Sequence, residues 1–356
     1  MGRALITGAS GFIGHHLAAA LLRRGEDVAC VVRPTSETRQ LESLGVTLYR
    51  ADVTDGEAIS PVIAGVDVVY HLAGLVKAVT RRQMMTVNEG GVHNLLTACA
   101  ARTTPPVVVY VSSMAAVGPA SGGKPRDESD PPAPVSHYGR SKRAGELVAQ
   151  SLAHAVPITT IRPALVFGEG DKNSLAIFRP LARWGVHMIP GYVTRRISSI
   201  HAADLAELLI LAAGRGRRLA PCGDRPKESG QGYYFAVTED LPTYAEFGRM
   251  IGAAVGREKV IVFHHPPLLA WTAAAATQFT WRLRGRAAIL NLDKVREALA
   301  GTWACSAARA RDELDFKPAA PLFDRIRQTA DWYRAQGYFD WFRNSARARR
   351  PRNNGR

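Results

Sequence analysis

Along the first half of the chain, short runs of β-branched and aliphatic residues alternate with stretches whose apolar positions recur every three or four residues. The runs at 3–7, 27–33, 46–50, 66–72, 107–112 and 158–162 predict strands, and the stretches at 12–24, 56–64, 81–101 and 138–154 predict helices. This βαβ rhythm belongs to a doubly wound parallel sheet covered on both faces. It places one domain over residues 1–167. After about Gly168 the strand rhythm lapses, and helical patterns at 174–184, 203–213, 243–255, 293–300 and 322–336 predict a smaller, mainly helical unit over 168–340. Such a unit would close over the carboxyl ends of the strands, where open α/β sheets bind ligands. Residues 118–134, rich in Gly, Pro, Ser and charge, predict an exposed substrate-side flap.

Composition narrows the class. With 46% hydrophobic residues in 356, the chain has material for a large core, which excludes general disorder. The net charge of +15 raises nucleic acid or an anionic surface as partners, but much of it sits beyond Asp340, where six arginines and no acidic residue occur. Residues 341–356 therefore read as a basic, disordered tail, and no RNA-binding or helix-turn-helix signature supports nucleic acid. Cys30, Cys99, Cys222 and Cys305 are far apart without CxxC spacing, so neither a structural metal nor a disulfide framework is expected. His201, His264 and His265 lack metal-like spacing and read as structural. No secretory leader pattern opens the sequence, which points to a cytoplasmic protein. The apolar stretch 266–279 is too short to span a bilayer and is followed by Arg282, Arg284 and Arg286. It reads as a lid helix, with peripheral membrane contact through 266–286 or the tail as the sharper option.

The chemistry begins directly after the first strand. In Thr7-Gly8-Ala9-Ser10-Gly11-Phe12-Ile13-Gly14, Gly8 suits a sharp turn, Gly11 lets backbone approach a pyrophosphate, and Gly14 allows close helix-sheet packing. The turn through Ser10, Phe12 and Ile13 brings amide donors to a helix N-terminus, which favours an anion. This is a dinucleotide site on a Rossmann-type sheet. The second strand ends at Arg33, where an acidic residue would grip both ribose hydroxyls of NAD, so a 2′-phosphate and hence NADP(H) over NAD(H) is favoured. Asp52, followed by Val53, can receive the adenine amino group.

Tyr138 and Lys142 stand four apart in a predicted helix and so share one face. A phenol is a weak base at neutral pH, but an adjacent ammonium and an oxidised nicotinamide would stabilise its phenolate. Lys142 can also hold the nicotinamide ribose. Ser113, closing the fifth strand, can donate a hydrogen bond to a substrate oxygen, while the strand parity of Ser112 points that hydroxyl elsewhere.

Together these groups resemble the extended short-chain dehydrogenase/reductase family, also called the NAD-dependent epimerase/dehydratase family, from Ala4 to about Gly337. His71-Leu72-Ala73-Gly74 is similar to the family's fourth-strand motif beside the cofactor. Asn88, in Val87-Asn88-Glu89-Gly90-Gly91, matches a structural residue of its central helix. Pro163 and Val166, in the run from Arg162 to Gly168, match positions near the nicotinamide. Family members often pair through the helices at 81–101 and 138–154, so the resemblance implies a homodimer.

Departures from the family sort its branches. The dehydratase branch has an acidic pair after the catalytic hydroxyl; here stand Met114 and Ala115. Nucleotide-sugar members place polar residues for the diphosphate where this chain has Leu165 and Ile197, with Arg196 one position away. The 109–119 segment, the 162–170 run and Trp332-Tyr333 are most similar to the 3β-hydroxysteroid dehydrogenase and dihydroflavonol reductase branch. That similarity implies hydride transfer between a nicotinamide and an apolar cyclic alcohol or ketone. A nucleotide-sugar epimerase is the alternative, and a non-catalytic NAD(P)-binding regulator the second.

Overall fold

The computed structural model describes residues 2–339 apart from 122, 222–228, 286, 287 and 289. The basic tail, Cys222 and Arg286 therefore lie outside the described residues. Strands β1 (Arg3–Thr7), β2 (Asp27–Val32), β3 (Thr47–Arg50), β4 (Val68–His71), β5 (Val107–Val111) and β6 (Ile158–Pro163) fall on the predicted runs. All pair in parallel, in the order β3-β2-β1-β4-β5-β6. The chain winds outward from β1 to β3 and then restarts at β4 on the other side. A crevice consequently opens between the carboxyl ends of β1 and β4.

Between these strands run α1 (Phe12–Arg23), α2 (Arg39–Leu44), α3 (Gly56–Ile59), α4 (Arg81–Met85), α5 (Gly91–Ala100) and α6 (His137–Ser151). The predicted helix 81–101 is interrupted by a π-helical turn, Thr86–Gly90. Such an insertion rotates the side chains it carries, and it falls on Asn88.

The second half departs from expectation. Among the described residues five strands occur there: β7 (Leu165–Phe167), β8 (Val186–Pro190), β9 (Ser199–His201), β10 (Tyr233–Ala236) and β11 (Ile261–His265). None exceeds five residues, too short for a periodic signal to rise above its surroundings. Strand β10 pairs with β6 as the seventh strand of the main sheet, so the division at 167/168 does not separate sheet from cover. Helices α7 (Leu175–Trp184), α8 (Ala202–Arg215), α9 (Tyr244–Ala254), α10 (Pro267–Leu283), α11 (Leu292–Leu299), α12 (Ala308–Leu314) and α13 (Leu322–Ala335) complete the described elements.

Apolar burial holds the layers together. On one face of the sheet α1 and α8 pack through Leu17, Leu21, Leu205 and Leu209; on the other, Leu95, Leu96 and Cys99 of α5 join Ala149 of α6. A third cluster gathers Phe167, Phe178, Phe247 and Tyr333 from β7, α7, α9 and α13. Most described residues of the 118–134 segment are exposed, as expected, but two of its charged residues anchor it. Arg126 and Glu128 are buried, Arg126 donates to the carbonyls of Pro119 and Pro131, and Glu128 accepts from the Phe235 amide at 2.8 Å. Arg126 thus ties the segment to itself, and Glu128 pins it to β10.

Candidate active site

The glycine turn sits at the crevice. Gly8 has φ +73°, and a Cβ there would lie 2.7 Å from the Ala73 amide nitrogen, so only glycine lets β1 turn against the segment after β4. A Cβ at Gly14 would meet the Gly8 carbonyl oxygen at 2.6 Å, which keeps α1 tight on the sheet. Gly11 is the N-cap of α1 and offers no side-chain cap, so the first-turn amides of Phe12, Ile13 and Gly14 face outward without a side-chain acceptor. An uncapped helix start over a glycine turn fits a pyrophosphate.

At the far end of this crevice an open groove of about 440 Å³ is lined by Arg33, Asp52, Thr54, Leu75 and Arg82 among others. Asp52 uses Oδ1 to accept from the Thr54 amide at 2.9 Å and its hydroxyl at 2.8 Å, which orients the carboxylate toward the groove's rim. Arg82 joins Arg33 there. The sequence offers no signal for it, because it lies in the short helix α4 with no motif around it. Leu72, Ala73 and Gly74 line the β4 side of the crevice. Thr7 links the two strands there: its hydroxyl pairs with His71 Nδ1 at 2.7 Å and accepts from the Ala73 amide at 3.3 Å. Burial, reinforced by the charge on Lys142, pulls His71 down to about 3, so it is a neutral structural imidazole.

Asn88 on the π turn holds the next stretch of wall. Its Oδ1 accepts from the Leu75 amide at 2.7 Å, and its Nδ2 donates to the Leu75 carbonyl at 2.9 Å and to the Ser141 hydroxyl at 2.8 Å. One side chain thereby fixes the strand-end backbone to α6. Close approach of α6 to the turn after β5 depends on Gly139, where a Cβ would lie 2.2 Å from the Ala115 carbonyl oxygen. That approach brings Ser113 within hydrogen-bonding reach of the Tyr138 phenol. Ser112, by contrast, points inward and donates to Glu146 at 2.7 Å.

The electrostatics differ from the expectation built on Lys142. Burial raises the Tyr138 phenol above its ordinary value, opposed by Ser113 and by the cation Lys294 of α11, while Glu297 adds to the rise. Lys142 donates instead to the Val111 carbonyl at 2.8 Å and lies 4.8 Å from the Tyr110 ring centroid; burial brings it down to about 8, with Glu146 opposing. In the protein without cofactor, therefore, the phenol is protonated at neutral pH and its neighbouring cation is Lys294.

Beneath the site lies a buried charge network absent from the sequence reading. Arg162 of β6 binds Glu146 bidentately, Nε to Oε1 at 2.8 Å and Nη2 to Oε2 at 2.9 Å, with Arg143 adding a contact at 3.0 Å. Burial alone would raise the Glu146 carboxyl, but Arg162, Ser112 and Arg143 hold it below its ordinary value. The Arg162 guanidinium also lies 4.0 Å over the Tyr233 ring, tying in the seventh strand. A signal existed: Tyr138, Lys142 and Glu146 follow an i, i+4, i+8 stripe, so the acidic residue had to share the inward face.

A glycine turn at a sheet's switch point, with a Ser-Tyr-Lys set on the neighbouring strand and helix, defines a dinucleotide-dependent enzyme. The model of the NAD dependent epimerase/dehydratase family matches residues 4–221, and the chain belongs to that family, within the extended short-chain dehydrogenase/reductases. Among its relatives is a ceramide reductase of Caulobacter vibrioides, 30% identical over 94% of this chain and 95% of that protein. A 3 beta-hydroxysteroid dehydrogenase/Delta 5→4-isomerase of Mycobacterium tuberculosis is 27% identical over 98% and 94%. The fold is shared with the UDP-glucose 4-epimerase of Thermus thermophilus solved with NAD, at TM-score 0.70 and 23% identity over 93% of this chain and 99% of that one.

Proposed function

We propose that the protein is an NADP(H)-dependent oxidoreductase that interconverts an apolar alcohol and its ketone, of steroid-, flavonoid- or similarly lipid-like character. The observation that carries this reading is the placement of Leu165 and Ile197, which pack against the cluster of Phe167, Phe247 and Tyr333. These positions face a sugar diphosphate in the nucleotide-sugar members the chain resembles, and an apolar wall there forfeits charge-assisted bonds of about 1.5–3 kcal/mol each. Arg196 offers no replacement, because its guanidinium donates to the Leu241 carbonyl at 2.7 Å. Met114 and Ala115 are buried where dehydration needs carboxylates. Two relatives named for a ceramide and for hydroxysteroids support the same class.

A nicotinamide held over Gly74, Pro163 and Val166 would supply or accept the hydride. The protein's own share is proton handling and orientation. Tyr138 delivers a proton to the ketone oxygen or withdraws one from the alcohol, Ser113 donates to that oxygen, and Lys142 holds the ribose end. Arg33 and Arg82 would meet a 2′-phosphate together, which supports NADP(H). The test is a panel of steroid, flavonoid and long-chain ketones, with UDP-sugars, supplied with NADPH or NADH. Net consumption of NADPH on an apolar ketone is expected, with kcat/KM for NADPH at least about tenfold that for NADH and the ratio lost in Arg33→Asp. Epimerised UDP-sugar without net cofactor change would overturn the reading.

We further propose that α10 gathers such a substrate at an anionic lipid surface. Leu268, Thr272, Ala276, Phe279 and Leu283 follow one helical stripe, and Leu268, Phe279 and Leu283 are 71%, 64% and 73% exposed, with Arg282 and Arg284 also exposed beside them. No helix among the described residues is long and apolar enough to cross a membrane. The chain should sediment with phosphatidylglycerol vesicles and not with pure phosphatidylcholine, and Phe279→Glu/Leu283→Glu should abolish this. Unchanged sedimentation of that double variant would assign the binding to another surface.

A further inference from the structure

The catalytic helix α6 begins under a clasp from far along the chain. Asp293, at the start of α11, accepts from the His137 amide through Oδ1 at 2.8 Å and from the Tyr138 amide through Oδ2 at 3.0 Å. Ser136, the N-cap of α6, takes the Gly139 amide at 2.8 Å and donates its own hydroxyl to Glu297 Oε1 at 2.6 Å. Lys294 donates to Glu297 Oε2 at 2.7 Å, and its Nζ stands 5.2 Å from the centroid of the Tyr138 ring. Arg296 braces Asp293 at 3.0 Å, and Trp303 Nε1 donates to the Glu297 carbonyl at 2.8 Å. Every member of the clasp is thus held by another.

We propose that Lys294 is a positioning residue for the Tyr138 phenol, a second cation that favours its ionised form, delivered by α11 through the Asp293 and Glu297 anchors. The inference rests on the reading of Tyr138 as the proton-transfer group.

A helix N-terminus leaves several amides without intrahelical acceptors, and the Ser136 cap takes only that of Gly139. The carboxylate of Asp293 satisfies the two amides before it, those of His137 and Tyr138, and so fixes the backbone of the very residue whose side chain works. The same helical turn then aims an ammonium at the ring. The groups that act on the phenol are Ser113 in the turn after β5 and Lys294 and Glu297 on α11, and Tyr110 of β5 interacts with it electrostatically; Lys142 lies on the same helix, and Asp293 and Arg296 brace α11. Lys142 is committed to the Val111 carbonyl and the Tyr110 ring, which leaves Lys294 as the cation acting on the phenol in the protein without cofactor. Lys294 is itself partly exposed, so solvent screens it and its influence is moderate. Its pairing with Glu297 keeps it charged across the working range despite burial that opposes this.

The experiment is NMR of the full chain labelled at tyrosine Cζ, without cofactor or substrate, with the Tyr138 signal assigned by its absence from Tyr138→Phe. Samples are followed upward from neutral pH to about pH 11, with circular dichroism verifying the fold at each point. In Lys294→Met the onset of Tyr138 ionisation should move up by about 0.5–1 pH unit, and Lys294→Gln should do the same. Lys294→Arg, which keeps the charge, should stay within about 0.2 unit of the parent. A neutral variant that titrates like the parent, or an Arg variant displaced as far as the neutral ones, would overturn the proposal. Because no turnover enters the measurement, its failure is separate from failure of the enzymatic reading, which the ketone panel decides.

Discussion

Under the proposed activity, Tyr138→Phe is expected to lower kcat by about three orders of magnitude on a ketone substrate while leaving the dissociation constant for the nicotinamide cofactor within about threefold of the parent. The substitution removes one oxygen and, with it, the Ser113 interaction with the phenol; Lys142 and the glycine turn keep their contacts, and the ring remains beside Lys294. What disappears is the proton that the ketone oxygen must receive as hydride arrives at its carbon. The raised phenol gives the pH dependence a sign. Ketone reduction uses the neutral phenol and should hold through neutral pH and fall only as the phenol ionises. Alcohol oxidation uses the phenolate and should climb over the same alkaline range. Ser113→Ala should cost less than Tyr138→Phe, because it removes an orienting donor rather than the transferred proton. Stopped-flow and steady-state rates with cofactor titrations by fluorescence measure all of these; a Phe variant with parental kcat would remove Tyr138 from the reaction.

Glu146→Ala carries the largest expected effect on stability. Removing the carboxylate leaves Arg162 charged and buried under Tyr233, and Ser112 without its acceptor. Breaking a buried ion pair from one side costs about 3–5 kcal/mol, since the remaining charge keeps its desolvation penalty. A melting temperature lower by roughly 10 °C is expected by calorimetry, with Glu146→Gln falling between variant and parent because it still accepts a hydrogen bond. The damage should reach the site as well. The network joins β5, α6, β6 and β10 directly below Tyr138 and Lys142, so the Ala variant should also lose cofactor affinity. A change in stability below about 1 kcal/mol would mean that water or a rearranged Arg162 repairs the gap.

The legible part of the molecule is the part whose signals are local. The β1 turn can be read because Gly8, Gly11 and Gly14 answer to one backbone geometry within seven residues, and the parallel sheet because buried strands of four to six residues recur between amphipathic helices. Tyr138 and Lys142 are legible for the same reason, being one helical turn apart. Contacts made across the chain leave no such trace. Asp293 caps a helix that begins 156 residues earlier, and Arg162 finds Glu146 on a different element. Strand β10 carries only four residues, directly after Gly232, and its membership in the sheet is decided by its pairing with β6 rather than by any pattern of its own. The 118–134 segment misleads by composition: Arg126 and Glu128 look like solvent-facing charges until the partners at Pro119, Pro131 and Phe235 are seen. Lys142 shows what spacing alone leaves open. Spacing places an ammonium on the right face of α6 but not at the phenol, and burial sends it to a backbone carbonyl instead.

The central claim is that hydride passes between NADPH and the carbinol carbon of an apolar substrate while Tyr138 exchanges the proton. Its most direct test is turnover of the best ketone of the panel with NADPH deuterated at the transferable position, followed by mass spectrometry of the alcohol. One deuterium retained at the new carbinol carbon, with one NADPH consumed per alcohol formed and both abolished in Tyr138→Phe, is the predicted result. Alcohol free of deuterium, or a UDP-sugar epimerised with the label left on the cofactor pool, would contradict it.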